Sequence, residues 1–329
     1  STDFQFVYPD SEEPRRSLWM SETSDELYFT RRSRDRHRLD LIKADLSTGE
    51  VEVLIEERLN TYLEEMQRPA HRLLPNGDLL WWSEEDGRGH DYLYDSAGEL
   101  KARLTEGPWT VVSLVHLDEP GGVVYFTAAG REEGIDPYYN HLYRVNLDGS
   151  GLRLLSEGDF DNRAVMGESG RFAVQSFSRV NTVPRTVLRN AQGQTVMELE
   201  EADFSALFEA GWQMPEPYKV KAADGVTDLF GVMYKPFDFD STRIYPVVEY
   251  VYPGPQSEAV SKFFDTNRYE VALAQFGMVV ITIGNRGGHP SRSKWYHNYG
   301  YGNLRDYGLA DKKAAAEQLA MRHSFIDLD

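Results

Sequence analysis

The feature that most constrains this chain is an internal repeat. Four segments share one order: a short apolar run of β type, a polar loop, a second run, a tight turn and a third run. They begin at Glu26, Asp78, Val123 and Arg171, and the matching positions Tyr28, Trp81, Tyr125 and Ala173 lie 53, 44 and 48 residues apart. In every copy Asp or Asn, closely followed by Gly, joins the last two runs: Asp45 to Gly49, Asp95 to Gly98, Asp148 to Gly149 and Asn190 to Gly193. That is hairpin chemistry, since these residues accept the left-handed backbone that a tight turn between twisted strands demands. A period of about 40 to 50 residues with several strands per copy marks a β-propeller. An irregular β-sandwich is the alternative. If the copies are blades, alternate residues of each run pack against the next blade.

The pattern changes after about Glu201. Ala202 to Trp212 reads as a short helix or loop, and Pro215 and Pro217 punctuate a linker-like stretch. Asp224-Gly225 turns a hairpin, and Tyr245 to Tyr252 is a β-rich apolar run. Ser257 to Phe276 looks helical, and Gly277 to Ile283 is a wholly apolar strand. Leu309 to His323 is a helix of high intrinsic propensity, with an apolar stripe at Ala310, Ala314, Leu319 and Met321. Strand, helix, buried strand, long loop and helix is the alternation of a parallel α/β sheet. The expected organisation is a partial β-propeller over residues 1–203 and an α/β unit over residues 204–329.

Charge and composition then exclude several classes. Lys plus Arg is 35 against 53 Asp plus Glu, and 35 − 53 gives a net charge of −18. Such a surface repels phosphate backbones and anionic lipid, which argues against nucleic acid or a membrane surface as partner. With 0 cysteines there is no disulfide, thiolate zinc site, iron–sulfur cluster or cysteine nucleophile. No apolar run approaches the roughly 18 residues of a membrane span. Ser1-Thr-Asp-Phe4 has no signal-peptide pattern, so an exported protein would have lost its signal already.

Standard catalytic motifs are absent. There is no Gly-x-Ser-x-Gly elbow, Walker loop, His-Glu-x-x-His, or Gly-x-Gly-x-x-Gly opening a helix. Gly284-Asn-Arg-Gly-Gly288 follows a buried strand, where ligands gather in open α/β sheets, but no helix follows directly to supply a dipole for an anion. Its glycines are read as giving the chain a sharp exit from the sheet. The carboxylate pairs Asp238/Asp240 and Asp327/Asp329 lack the spacing of a calcium loop and read as solvated turns. No metal or cofactor is expected.

The combination resembles a known family. A propeller precedes Ala223 to Pro236, then Tyr245 to Tyr252 with Pro253-Gly254-Pro255, then Asn285-Arg-Gly-Gly288 and a helix carrying Asp311. This resembles the prolyl oligopeptidase family of serine peptidases, in its dipeptidyl peptidase IV subgroup. Residues 82–90 also resemble a late propeller blade of that subgroup.

The resemblance implies a serine exopeptidase that removes amino-terminal dipeptides with Pro or Ala in the penultimate place, by Ser–His–Asp acyl transfer. It implies that Tyr252, ending the Val-Tyr-x-Gly-Pro motif, donates its hydroxyl to the oxyanion. Nucleophile, Asp and His of the triad would all lie outside this chain, beyond Asp329. Ser257, Ser261, Ser291 and Ser293 lack elbow context, and His289 and His297 come before the place of a triad His. Glu64-Glu65 superficially resembles the pair that binds a substrate's amino terminus, but in the wrong blade by order, and reads as a solvated loop. Two other readings stay open: a catalytically inactive peptide-binding protein, and an acyl-peptide hydrolase or endopeptidase of the same superfamily. The expected partners are a peptide substrate and, at full length, a second copy as homodimer, and by analogy the protein is exported. On this reading the four blades are half of a larger ring, and the α/β unit stops before the nucleophile elbow. The chain alone is then an inactive piece whose strand Gly277 to Ile283 lies bare on one side.

Overall fold

In the computed structural model, residues 12–20, 25–64, 71–156, 158–252 and 256–328 are described, with side chains from residue 25 onward. The repeats fold into four separate four-stranded antiparallel sheets, each with its strands in chain order. The first holds β1 (Glu12–Met20), β2 (Glu26–Ser33), β3 (Arg38–Asp45) and β4 (Val51–Arg58). The second holds β5 (Arg72–Leu73), β6 (Leu79–Ser83), β7 (His90–Tyr94) and β8 (Leu100–Arg103). β9 (Thr110–Asp118), β10 (Val123–Ala129), β11 (Asn140–Asn146) and β12 (Arg153–Leu154) form the third. β13 (Asp161–Met166), β14 (Phe172–Arg179), β15 (Thr182–Asn190) and β16 (Thr195–Glu201) form the fourth.

Strand periodicity explains how these sheets stack as blades. Successive side chains of a strand point to opposite faces. Accordingly Trp81 joins the core shared with Tyr28, Leu41 and Ile55 of the first blade. Its neighbour Trp82 joins the core shared with Val111, Val124 and Phe126 of the third. One step on, Tyr125 packs with Met166 and Ala173 of the fourth. Each such aromatic or aliphatic side chain, buried on both sides, contributes on the order of 2 kcal/mol. The four turn glycines all have positive φ, from +77° to +84°. Three of them also meet the preceding blade: a Cβ on Gly149 would sit 2.5 Å from the carbonyl oxygen of Arg103, one on Gly193 2.8 Å from that of Leu155, and one on Gly98 would overlap that of Leu54.

A short helix, α1 (Ser205–Glu209), leads to a mixed five-stranded sheet. Its strands are β17 (Glu216–Lys221), β18 (Asp228–Tyr234), β19 (Tyr245–Glu249), β20 (Val279–Ile283) and β21 (Ile326–Asp327), in the order β17-β18-β20-β19-β21. β18 runs antiparallel to β20, while β19 is parallel to both β20 and β21. Helix α2 (Tyr269–Ala274) covers one face, and α4 (Leu309–Arg322) the other. α3 (Lys294–His297) lies in the loop between β20 and α4.

The structure corrects three expectations. β20 is central, flanked by β18 and β19 and buried throughout, because the crossover through α4 carries β21 past it to pair with β19. The strand therefore has no bare side. Ser257 to Phe276 is helical only from Tyr269 to Ala274: in residues 257–268 the Lys262 side chain and the Phe264 amide bond to the propeller, and the local bonds there run through Ser257, Ser261 and Asp265 side chains and not along a helical ladder. On α4 the inward face carries Asp311, Lys312, Ala315 and Leu319, while Met321 is exposed. Asp311 is buried on Arg286 and Lys312 on the Ile283 carbonyl, so two charged residues occupy what apolar patterning assigns to Ala310 and Ala314.

Candidate active site

The loops leaving the carboxyl ends of β19 and β20 run against the propeller, and a cavity of about 840 Å³ opens along the seam. In open α/β sheets that end of the strands is where ligands bind. Val112, Tyr138, Asn140 and Asp161 line the cavity from the blades, and Tyr250, Tyr252, Glu258, Lys262, His289 and Ser291 from the sheet side. Tyr252 lies three residues past the end of β19 and is 60% exposed, so it is a wall of the cavity and not a core aromatic. Pro253, Gly254 and Pro255, the rest of its motif, lie outside the described residues.

The glycine-rich loop has a specific use. A Cβ on Gly284 or Gly288 would collide with the carboxylate of Glu258, so the loop closes around an acid of its own chain. Glu258 is buried and accepts the Tyr138 hydroxyl at 2.6 Å and the His289 amide at 3.0 Å. Burial pushes its carboxyl above the ordinary range, and burial also raises the Tyr138 phenol. Residue 259 reaches this position through a left-handed backbone, φ +53°, on an alanine. Strain of that kind, on the order of 1 kcal/mol, gathers at functional walls. Arg286 of the same loop forks onto Asp311 and also reaches Asp224 at 3.0 Å, tying loop, α4 and the β17–β18 hairpin together.

Two polar clusters join the sheet unit to the propeller. Near the third blade, Lys262 pairs with Asp136 at 2.6 Å beside the Tyr138–Glu258 bond. Near the first two, Lys294 of α3 pairs with buried Glu84 at 2.5 Å, and His297 lies 3.7 Å from Glu64. Around them Asn298 bonds Thr61, Tyr301 bonds His37, and the Lys294 amide donates to the Gly87 carbonyl. Glu64 is thus corrected from a solvated loop to a buried residue at 1% exposure, because α3 covers it; Glu65 lies outside the described residues. Asp238 and Asp240 are exposed in a turn, and Asp329 lies outside the described residues.

The family resemblance singled out Tyr252; neither it nor patterning nominated Glu258, His289 or Ser291. A single acid three residues after Pro255, and a His-Pro-Ser in a loop, carry no period or spacing; the available signal was the pair of glycines that leaves room for Glu258.

A family model described as the dipeptidyl peptidase IV (DPP IV) N-terminal region matches residues 15–184, more than half of the chain. The chain belongs to the dipeptidyl peptidase IV family. Human dipeptidyl peptidase 8 is 28% identical over 241 residues, covering 69% of this chain and 26% of the relative. A dipeptidyl-aminopeptidase B of Aspergillus clavatus is 30% identical over 234 residues, covering 68% and 24%. The crystal structure of Porphyromonas gingivalis dipeptidyl peptidase 4 superposes with a TM-score of 0.81 at 24% identity, over 94% of this chain and 43% of that one. The stretch matched spans about a quarter of the length of these sequence relatives. Among the described residues no helix of this dipeptidyl peptidase IV family member is long and apolar enough to cross a membrane.

Proposed function

We propose that the intact gene product is a serine exopeptidase that releases amino-terminal dipeptides with Pro or Ala in the penultimate place. Residues 204–329 are then the first half of an α/β-hydrolase domain, and the propeller screens substrates by size above the cleft. The observation that carries this reading is Tyr252, held at the carboxyl end of a parallel strand in a cavity shared with the propeller. The family resemblance and the dipeptidyl peptidases among the relatives support it.

On this reading a serine from outside the chain attacks the scissile carbonyl carbon, its proton passing to a histidine that an aspartate orients. Negative charge then builds on the carbonyl oxygen. A fixed phenol donor at that oxygen strengthens as the charge develops, so it lowers the barrier more than it tightens substrate binding. Homodimerisation and export belong to the same proposal; sedimentation and the upstream gene sequence test them.

The test is hydrolysis of aminoacyl-prolyl chromogenic substrates by the intact gene product, with a serine-reactive phosphonate as control. Tyr252→Phe should lower kcat by about 10²-fold or more with little change in KM. An unchanged kcat removes Tyr252 from the oxyanion site, and the absence of any phosphonate-sensitive hydrolysis removes the peptidase.

A further inference from the structure

The sheet-side lining of the cavity, which includes Tyr252, also contains a histidine whose proton can be placed from its bonds. The backbone amide of Ser291 donates to His289 Nδ1 at 3.1 Å, and the Ser291 hydroxyl lies 2.8 Å from the same atom. A backbone N–H can only donate, so Nδ1 must keep its lone pair, and the one proton of a neutral ring sits on Nε2. Among the described residues Nε2 makes no protein hydrogen bond, and the ring borders the cavity, edge-on to Tyr138 at 6.2 Å.

The surroundings keep this donor both neutral and fixed. A second proton would have to displace the Ser291 amide. Burial, with Lys262 and His297 nearby, pushes the imidazole down to about 4. The carboxylate facing the segment, Glu258, is already committed to the Tyr138 hydroxyl and to the His289 amide. Because Gly284 and Gly288 enclose Glu258, that second bond anchors the backbone on which the ring stands. The cations on the same wall are neutralised: Lys262 by Asp136 at 2.6 Å and Arg268 by Glu270 at 2.7 Å. An anionic ligand would therefore meet no free positive charge from these two groups. An uncharged acceptor would meet two uncharged donors, the Tyr252 hydroxyl and His289 Nε2.

We propose that His289 is a specificity residue whose Nε2–H binds a backbone carbonyl oxygen of the bound peptide. The inference rests on the peptide reading of this cavity and adds the group that holds the chain in register beside Tyr252. A preformed neutral donor suits a carbonyl, which gains a hydrogen bond without a charge having to be desolvated. The role is binding and not proton transfer, since the only nitrogen free to exchange a proton with substrate already carries one that the ring cannot surrender near neutral pH.

Two variants separate the donor from the turn that holds it. In His289→Asn the side-chain oxygen falls near the place of Nδ1 and still accepts the Ser291 amide, while nothing donates from the place of Nε2. In His289→Gln the amide nitrogen falls near Nε2 and restores a donor. With aminoacyl-prolyl peptides and the intact gene product, H289N should raise KM about tenfold, the worth of one neutral hydrogen bond, with kcat changed less than about twofold. H289Q should recover most of that loss, and the acidic limb of the kcat profile should stay in place in both. Independently, ¹⁵N ring correlations on histidine-labelled protein should contain one imidazole, missing from H289N, with Nε2 protonated and Nδ1 bare from pH 8 down to about 5.5. A ring that is charged at pH 6, or protonated on Nδ1, overturns the proposal. So does an unchanged KM in H289N, or a shifted acidic limb. Wild-type protein that neither cleaves nor binds these peptides overturns the peptide reading and this inference with it; cleavage by wild type with H289N unaffected overturns this inference alone.

Discussion

Replacing the turn glycines one at a time separates the stability of a hairpin from the stability of blade stacking. Gly49 and Gly149 occupy equivalent turns, at φ +77° and +82°, but a Cβ on Gly49 meets nothing within 4 Å while one on Gly149 meets the Arg103 carbonyl oxygen at 2.5 Å. Both alanine variants bear the left-handed strain, about 1 kcal/mol after the entropy alanine removes from the unfolded chain. Only Gly149→Ala also drives a methyl nearly 1 Å inside an ordinary contact of 3.4 Å, against backbone that cannot rotate away. Overpacking of that kind adds about 1 to 3 kcal/mol. Gly149→Ala should therefore be about 2 kcal/mol less stable than Gly49→Ala, an apparent Tm lower by roughly 4 to 8 °C for a unit of this size. Differential scanning fluorimetry of the two variants in the intact gene product, in one buffer, reads this directly. Equal Tm losses would show that the glycine serves the turn alone and that blade spacing tolerates a methyl group.

Two further outcomes concern buried charge. Desolvation raises Asp91 to about 7 from 3.8, so the folded state holds its proton more tightly and stability falls as pH climbs from about 4 to 7; Asp91→Asn should flatten that slope and raise Tm at pH 8, and an Asn variant with the wild-type slope refutes the assignment. At the seam, Lys294→Met should cost about 3 kcal/mol or more by stranding Glu84, while the double variant Lys294→Met/Glu84→Gln should regain most of it. Denaturation of the single and double variants checks this, and equal losses in both would show that the pair is not coupled.

The blades were legible because their burial is two-sided and local. Trp81 and Trp82 face opposite neighbours, and period-2 patterning needs no knowledge of what those neighbours are. Strand order in the sheet was not legible. Nothing in residues 277–283 says that β19 pairs on one side and β18 on the other, since pairing is decided by a crossover some 40 residues long. The stripe of α4 was misjudged for a different reason. Patterning assumes that charge faces water, whereas Asp311 and Lys312 are buried on partners from the β20 loop and the end of β20 itself. Glu258 stayed hidden for the same reason. A buried acid is recognisable only by the groups that satisfy it, and Tyr138 stands 120 residues away in sequence.

The seam between propeller and sheet is joined in part at Tyr138–Glu258, Asp136–Lys262 and Glu84–Lys294, by groups that water can serve once exposed, and in part by Val180 of the fourth blade, packed among Val232, Tyr234 and Val280 of the sheet unit. Separating two oily faces raises the free energy with every square ångström uncovered, and the bared surfaces then stick to whatever is near. Separating these clusters exchanges one set of hydrogen bonds for another. Those polar clusters act as a clasp that registers the Tyr252 wall against the blades, and being largely buried they are screened little by salt, while the apolar patch around Val180 adds the non-directional part of the seam.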